Sequence, residues 1–294
     1  MKVDRKQGVK WSYLAVNNKL DELKADIMRA VVKDIELNGR EYHPNSWTAH
    51  ALNFVRSTLK EQPEAYFQIF KEGGNSKLPF LSYSTLPGVN CPGAGACLSE
   101  SYCYSFKAWR YPAAYFRQLQ NTILERQRPE LIASELKRII NKKEYSGRRV
   151  DLRLYVDGDF PNLDIMRFWF NTLEALPRVA AYGYSKSIHL FIDYIKLYKV
   201  PSNYALNGSG GGLYDFRIKE IENEAFYRGN FESYQLSSNK SATKLTRDEK
   251  QQIRKAYNEK IFICPGLCGD CTSAGHACGS LDKFKNIKIV TPIH

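Results

Sequence analysis

The sequence predicts an α/β fold: a parallel-strand barrel or partial barrel of the TIM type, with an N-terminal helical cap and a C-terminal Cys-rich, metal-binding extension. Three observations predict it. From about residue 150 onward, apolar β-prone runs alternate with helical ones at the spacing of strand and crossover-helix units. Glycines and short polar residues collect where those strands end, which is where function gathers in such folds. The seven cysteines fall into two short knots, and none is scattered through the hydrophobic segments.

Each element follows from local pattern. Over residues 17–37, Leu20, Leu23, Ile27, Val31 and Ile35 recur at helical spacing, with Asn17 and Asn18 able to cap. A second helix is expected from Trp47 to about Lys60, ended by Pro63, and "KEGGNSK" (71–77) reads as a hinge. "LPFLSYSTL" (78–86) is apolar and β-prone and feeds the first cysteine knot. The basic stretch 110–149 predicts one or two helices ending in Lys and Arg. The alternation then runs as strand 150–156, the turn "DGDFPN", helix 163–175, strand "VAAYGYS", helix 188–198 and strand "NYALNGSGGG". The expected organisation is a cap over 1–72, a barrel-like domain over 73–258 and a Cys-rich segment over 259–294 packed on the barrel.

At 294 residues and 43% hydrophobic composition, the chain is long enough to bury a substantial core. No apolar run reaches the length of a membrane span, so a cytoplasmic protein with reduced thiols is expected, without a membrane partner. The net charge of +12 and the 19 tyrosines suit a nucleic-acid partner, with DNA the first expectation: phosphates attract cations and bases stack on rings. Two basic clusters are candidates: Lys137, Arg138, Lys142, Lys143, Arg148 and Arg149 at a helix end, and Lys244, Arg247, Lys250, Arg254 and Lys255 along a further predicted helix. Lys-rich solvated faces also give a high isoelectric point in proteins that bind no nucleic acid.

The first knot holds Cys91, Cys97 and Cys103, with five residues between each pair; the second holds Cys264, Cys268, Cys271 and Cys278, with three, two and six residues between them. The odd count, the charged N-terminus and the size of the chain argue against a disulfide framework. Gathered thiolates point to zinc or iron–sulfur, and the loose second spacing favours iron–sulfur over a zinc ribbon. His276, between two tail cysteines, could replace one of them as a ligand but reads as a surface group, and His294 as a bystander. The predicted strand ends add Asp157, Gly158 and Asp159, then Tyr184, Lys186 and Ser187, then Ser209. Any one of these turns is explained by ordinary capping and turn chemistry; four together beside a thiol loop point to a site.

"CPGAGACLSESYCY", "YVDGDFPNLDIMRFWFNTLEALPRVAAYGYSKS" and the terminal "CPGLCGDCTSAGHAC" with "IKIVTPIH" resemble the "gene product eighty-eight" proteins of phages and plasmids over roughly residues 78–294. A more distant resemblance is to radical S-adenosylmethionine enzymes, where three cysteines after the first barrel strand hold a [4Fe–4S] cluster and the third is followed by an aromatic residue. That resemblance implies that Cys91, Cys97 and Cys103, followed by Tyr104, hold such a cluster and leave one iron for S-adenosylmethionine. It further implies that "DGDFP" stands where those enzymes bind the methionine amine, and that the tail cysteines hold an auxiliary cluster. Here the spacing is five and five rather than three and two, and Asp157 replaces the first glycine of the turn.

The expected function is therefore an iron–sulfur enzyme of a phage or plasmid acting on or binding nucleic acid. Asp157, Asp159 and Lys186 are its candidate catalytic residues, and Gly158, Tyr184, Ser187 and Ser209 its candidate cofactor contacts. The alternative is a DNA-binding protein stabilised by zinc or iron–sulfur, or a nuclease in which Asp157, Asp159 and Asp164 hold magnesium. No Walker loop, GxSxG elbow or HExxH occurs, and "GSGGG" at 208–212 is a lone glycine-rich turn.

Overall fold

The computed structural model describes residues 4–39, 43–73, 78–100, 103–238, 240–268, 271–272 and 275–293. Residues 74–77 of the expected hinge, and His294, lie outside the described residues.

The chain opens with helices α1 (Arg5–Val16), α2 (Leu20–Asn38) and α3 (Trp47–Ser57). Sequence periodicity pointed to the second and third but missed α1, whose buried stripe is only Gly8, Trp11, Ser12 and Ala15. Trp11 is fully enclosed and donates from Nε1 to Asp26, at 2.9 Å, which ties α1 to α2. Asn17 and Asn18 do not cap α2: Asn17 closes α1, and Asn18 takes a positive φ of 56° to turn the chain. The third helix stops at Ser57, short of the expected Lys60.

After strand β1 (Leu81–Ser82) and the one-turn helix α4 (Ala96–Ser99) come α5 (Pro112–Gln127) and α6 (Pro129–Ile140). Helix α5 packs its apolar face, Tyr115, Phe116, Leu119 and Ile123, against the three opening helices. Its buried polar residues are hydrogen-bonded to the segments that lead into β1 and away from it. Gln120 accepts from the backbone N–H of Tyr66 and Phe67, Asn121 donates to the carbonyls of Ile69 and Ser84, and Thr122 accepts from Leu86 N–H. Such groups would be costly if unpaired, and paired they fix the path of the chain toward Cys91.

Then follow β2 (Val150–Leu154), α7 (Leu163–Glu174), β3 (Val179–Ser185), α8 (Ile188–Ile195), β4 (Tyr204–Ser209), β5 (Tyr227–Tyr234), α9 (Arg247–Lys255), β6 (Ile261–Ile263) and β7 (Lys288–Pro292). All seven strands form one parallel sheet in the order β1-β2-β3-β4-β5-β7-β6. The first five are consecutive, as in barrel winding, but among the described residues no ladder joins β6 back to β1. The fold is an α/β fold with one seven-stranded parallel sheet and helices; the expectation of a barrel or partial barrel is met as far as this parallel sheet, without a closed barrel among the described residues.

Strand pleating sorts the sheet into two faces. Val150, Leu152, Leu154, Val179, Ala181, Tyr204 and Leu206 face the helical layer and its core of Met166, Trp169, Phe170 and Phe191. The opposite face carries Tyr182, Tyr184, Ala205, Phe231 and Ile289, and the cysteine-rich tail covers it with Ala277, Cys278, Leu281 and Phe284. No helix among the described residues is long and apolar enough to cross a membrane.

Candidate functional site

Because β1 to β4 lie side by side, the segments leaving their C-terminal ends meet along one edge of the sheet. The Cys91 loop docks there. Ala94 pairs with Gly212, Leu213 N–H donates to Gly93 O at 2.9 Å, and Ala96 N–H donates to Gly211 O at 3.1 Å. A Cβ on Gly93 would stand 2.0 Å from the Lys186 carbonyl oxygen, so only glycine allows this approach. The first thiol loop is thus seated on the turns after β3 and β4.

The turn after β2 completes the edge. Tyr155 holds a left-handed φ of 51°, with its hydroxyl donating to the buried Glu125 at 2.6 Å. Gly158, at φ 86°, lies against Thr85, whose N–H donates to Asp157 O at 3.0 Å. The Asp157 carboxylate accepts from Gln118 at 2.9 Å; burial pushes its pKa above the ordinary carboxylate value, against the pull of Ser105, Arg153, Arg117 and Ser84. Tyr104, next to Cys103, donates its hydroxyl to Val156 O.

Asp159 is enclosed and joins the β2 turn to the β3 turn. It accepts from Ser185 Oγ at 2.7 Å, Lys186 N–H at 2.9 Å, Ser187 Oγ at 3.1 Å, Ser187 N–H at 3.2 Å and Phe160 N–H at 2.8 Å. Burial pushes its pKa up against those five donors. It does not cap α7, a place taken by Asn162, and Asp164 lies in that helix's first turn. The three acids do not form a ready carboxylate cluster: among the described residues, no three His, Cys, Asp or Glu side chains are gathered in the tight arrangement that holds an ion. Lys186 extends across the β4 end and donates to Ser209 Oγ at 3.0 Å, to Ser209 O at 3.3 Å and to Gly210 O. Among the described residues its ammonium hydrogen-bonds to neutral oxygens.

All seven cysteines are free thiols. Burial pushes the Cys91 pKa well up, with Asp159, Cys103 and Cys97 adding to the shift, and burial likewise raises Cys97, where Lys186 opposes it. The three therefore share one neighbourhood, with an acid and a lysine beside them. In the tail, Gly266 N–H points at Cys264 Sγ at 3.4 Å and Ala277 N–H at Cys271 Sγ at 3.2 Å, contacts that favour thiolate. Burial pushes Cys278 up to about 12; its thiol is hydrogen-bonded to Tyr184 and shares its surroundings with Cys264 and Cys268. The donor chemistry of both sets suits a thiolate-bound metal, but among the described residues neither set is gathered in the tight arrangement that holds an ion.

Several residues that sequence reasoning passed over belong to this region. Arg153 lies over the Tyr184 ring at 4.6 Å, and Arg228, fully enclosed, donates to Asn207 Oδ1 at 2.6 Å. In an alternating strand such as "VDLRLYV" an arginine reads as an outward polar position. Arg153 is half-buried here, with its Nε sealed from solvent. Nor is His276 a surface group: it is enclosed between Phe80 and Tyr182, and its Nδ1 accepts from Gly279 N–H.

The basic clusters lie elsewhere. Lys137, Arg138, Lys142, Lys143, Arg148 and Arg149 run from the end of α6 to the start of β2, at the end of the sheet opposite the thiol loop. Arg138 pairs with Glu135, Lys142 with Glu72 and Arg149 with Asp151. Lys244 precedes α9, which carries Arg247, Lys250, Arg254 and Lys255; among the described residues these four form no ion pair. Two cavities also lie away from the strand ends. One of about 250 Å³ is beside β6 at Phe262 and Phe284, and one of about 380 Å³ is between the end of α8 and Phe226. The thiol, carboxylate and lysine chemistry, rather than open volume, marks the strand-end edge as the candidate site.

A family model described as Gene product 88 matches residues 54–278, taking in the end of α3, the Cys91 loop, the strand-end turns and all four tail cysteines. It begins earlier than the motif resemblance, which started near residue 78. No curated protein and no solved structure gives a match.

Proposed function

The chain belongs to the gene product 88 family, and from that premise and the strand-end geometry we propose that it is an iron–sulfur protein, radical S-adenosylmethionine-like in its first cluster. In this reading Cys91, Cys97 and Cys103 hold a [4Fe–4S] cluster with one iron open to a small molecule, and Cys264, Cys268, Cys271 and Cys278 hold a second cluster or zinc. The comparisons lend no support to the radical S-adenosylmethionine likeness. The observation that carries it is the seating of the three-thiol loop on the ends of β3 and β4, beside Asp159 and Lys186.

When bound, such a cluster supplies a single electron to a ligand on its open iron. The chain's own groups do the rest. Lys186, without a carboxylate partner among the described residues, offsets the negative charge of the thiolates. Asp157, beside Tyr104 and Gln118, offers a carboxylate for a ligand ammonium. Asp159 acts as a positioning residue: with both oxygens taken, it holds Ser185, Lys186 and Ser187 in place. Gly158 and Ser209 shape the floor between them, and reduced thiols suit a cytoplasmic setting.

The test is anaerobic purification with visible absorption, iron and sulfide content, then titration with S-adenosylmethionine. Brown protein with about four irons per cluster and a spectral change on titration is expected. Colourless protein that takes zinc and refuses iron on reconstitution would sink the iron–sulfur reading and leave the metal-stabilised binding protein.

Nucleic acid is the proposed partner, and α9 is its better-supported seat, because among the described residues its four cations form no ion pair. DNA retention should weaken with salt by about 0.9 log units per log unit for each phosphate neutralised. Replacing Arg247, Lys250, Arg254 and Lys255 by Gln should lower that slope by roughly three units. A salt response that is flat in the wild type would remove the partner altogether.

A further inference from the structure

The 3₁₀ helix Tyr104–Arg110 carries the chain from the Cys91 loop toward α5, with one side in the core and one in solvent. At about three residues per turn, positions three apart line up along its axis. On the inner side Ser105 and Trp109 are buried. Trp109 is fixed there by the Phe106 ring at 4.8 Å and by its Nε1 donating to Gln118 Oε1 at 3.0 Å. Tyr104, Lys107 and Arg110 form the opposite stripe, and all three are exposed. Tyr111 follows at once, 59% exposed, with the Arg110 guanidinium over its ring at 5.1 Å.

Tyr104 is 55% exposed, yet its ring is held in place, because its hydroxyl donates to Val156 O in the turn after β2. One exposed tyrosine needs no explanation; two of them, with two cations in between, make a pattern. A ring fixed before a ligand arrives lowers the entropy lost when something stacks on it. Successive residues of the stripe stand ~6 Å apart along the helix axis, so neighbouring side chains can meet neighbouring nucleotides of an extended strand. Arg110 forms no ion pair among the described residues.

We propose that Tyr104, Lys107, Arg110 and Tyr111 form a track for single-stranded nucleic acid: unpaired bases stack on the two tyrosine rings, and Lys107 and Arg110 meet the phosphates. The inference rests on the nucleic-acid reading above and deepens it by choosing unpaired strands over duplex, since a base must leave its own stack before its face meets a ring. The track also brings the strand to the candidate site. Tyr104 adjoins Cys103, and its anchor Val156 adjoins Asp157.

The test measures fluorescence anisotropy of a labelled oligothymidylate, and of a duplex of the same length, with the full chain. Tyr111→Ala and Tyr104→Ala should each weaken the single strand about tenfold and leave the duplex unchanged. Tyr104→Phe, which keeps the ring and gives up its anchor, should retain most of the affinity. Replacing Lys107 and Arg110 together by Gln should lower the single-strand salt slope by about 1.4 units, near 0.7 for each phosphate. If Tyr104→Ala disturbs the thiol loop and melts early, Tyr111→Ala and the Gln pair carry the test. Single-strand affinity unchanged in those variants overturns the track, and a loss confined to the α9 variants then leaves the nucleic-acid partner standing on α9. Equal losses on single strand and duplex also overturn it, because the stripe then acts through charge alone. A wild type that binds neither probe removes track and partner together.

Discussion

Replacing Cys271 with serine is expected to remove the tail's metal and to lower thermal stability sharply. Cys271 accepts from Ala277 N–H, and its loop folds over the sheet face that carries Tyr182, Ala205 and Ile289. Among the described residues no α-helix covers that face, so the tail supplies its cover, and the metal is proposed to tie the tail down. Structural metal sites contribute on the order of 10 kcal/mol of binding free energy, comparable with the whole net stability of about 5–15 kcal/mol. Even a loss of ~5 kcal/mol shifts the unfolding midpoint by roughly 10–20 °C in a chain of this size. Metal analysis and calorimetry check it together: wild-type metal content and melting temperature in the variant would mean that the tail knot holds nothing.

Asp159→Ala is expected to cost roughly 3–5 kcal/mol, since it leaves the donors of Ser185, Lys186, Ser187 and Phe160 facing an empty space. Asp159→Asn is nearly isosteric and still should cost about 2 kcal/mol: its amide N–H₂ must point at N–H and O–H groups that themselves need acceptors. Asp164→Asn, at an ordinary helix first turn, should stay within about 1 kcal/mol. Urea unfolding of the three variants separates the roles. Comparable stability of Asp159→Asn and wild type, with ligand or cofactor binding lost, would instead return Asp159 to the chemistry as a ligand-facing carboxylate.

Much of the helical and strand layout was legible because it depends on neighbours in sequence. The alternation of Val150, Leu152 and Leu154, and of Val179 and Ala181, reports a pleated face directly, and the strand "VAAYGYS" begins and ends as its pattern implies. Helix α1 was not legible: its stripe is short, and Gly8, a poor helix residue, stands there because a Cβ would meet the Trp109 ring at 2.4 Å. Likewise β1 shrank to two residues, since a strand's length depends on how far its partner runs beside it.

The candidate site divides in the same way. By itself the sequence determined that seven thiols form two knots, that acids, glycines and a lysine stand at successive strand ends, and that the chain is basic; these are facts of composition and order. That consecutive strands lie side by side follows from chain connectivity, and so the meeting of the Cys91 loop with Asp159 and Lys186 was within reach of sequence reasoning. Tertiary structure alone decided that β7 inserts between β5 and β6, that the tail covers the sheet's second face, that Arg228 and His276 are enclosed, and that one basic cluster sits at the far end of the sheet. The reason is physical. Local pattern records which side of a strand or helix is apolar, whereas burial of a polar side chain depends on what packs over it, and here that cover comes from the cysteine-rich tail, far along the chain from the β3 and β4 residues Tyr182 and Ala205 that it packs on.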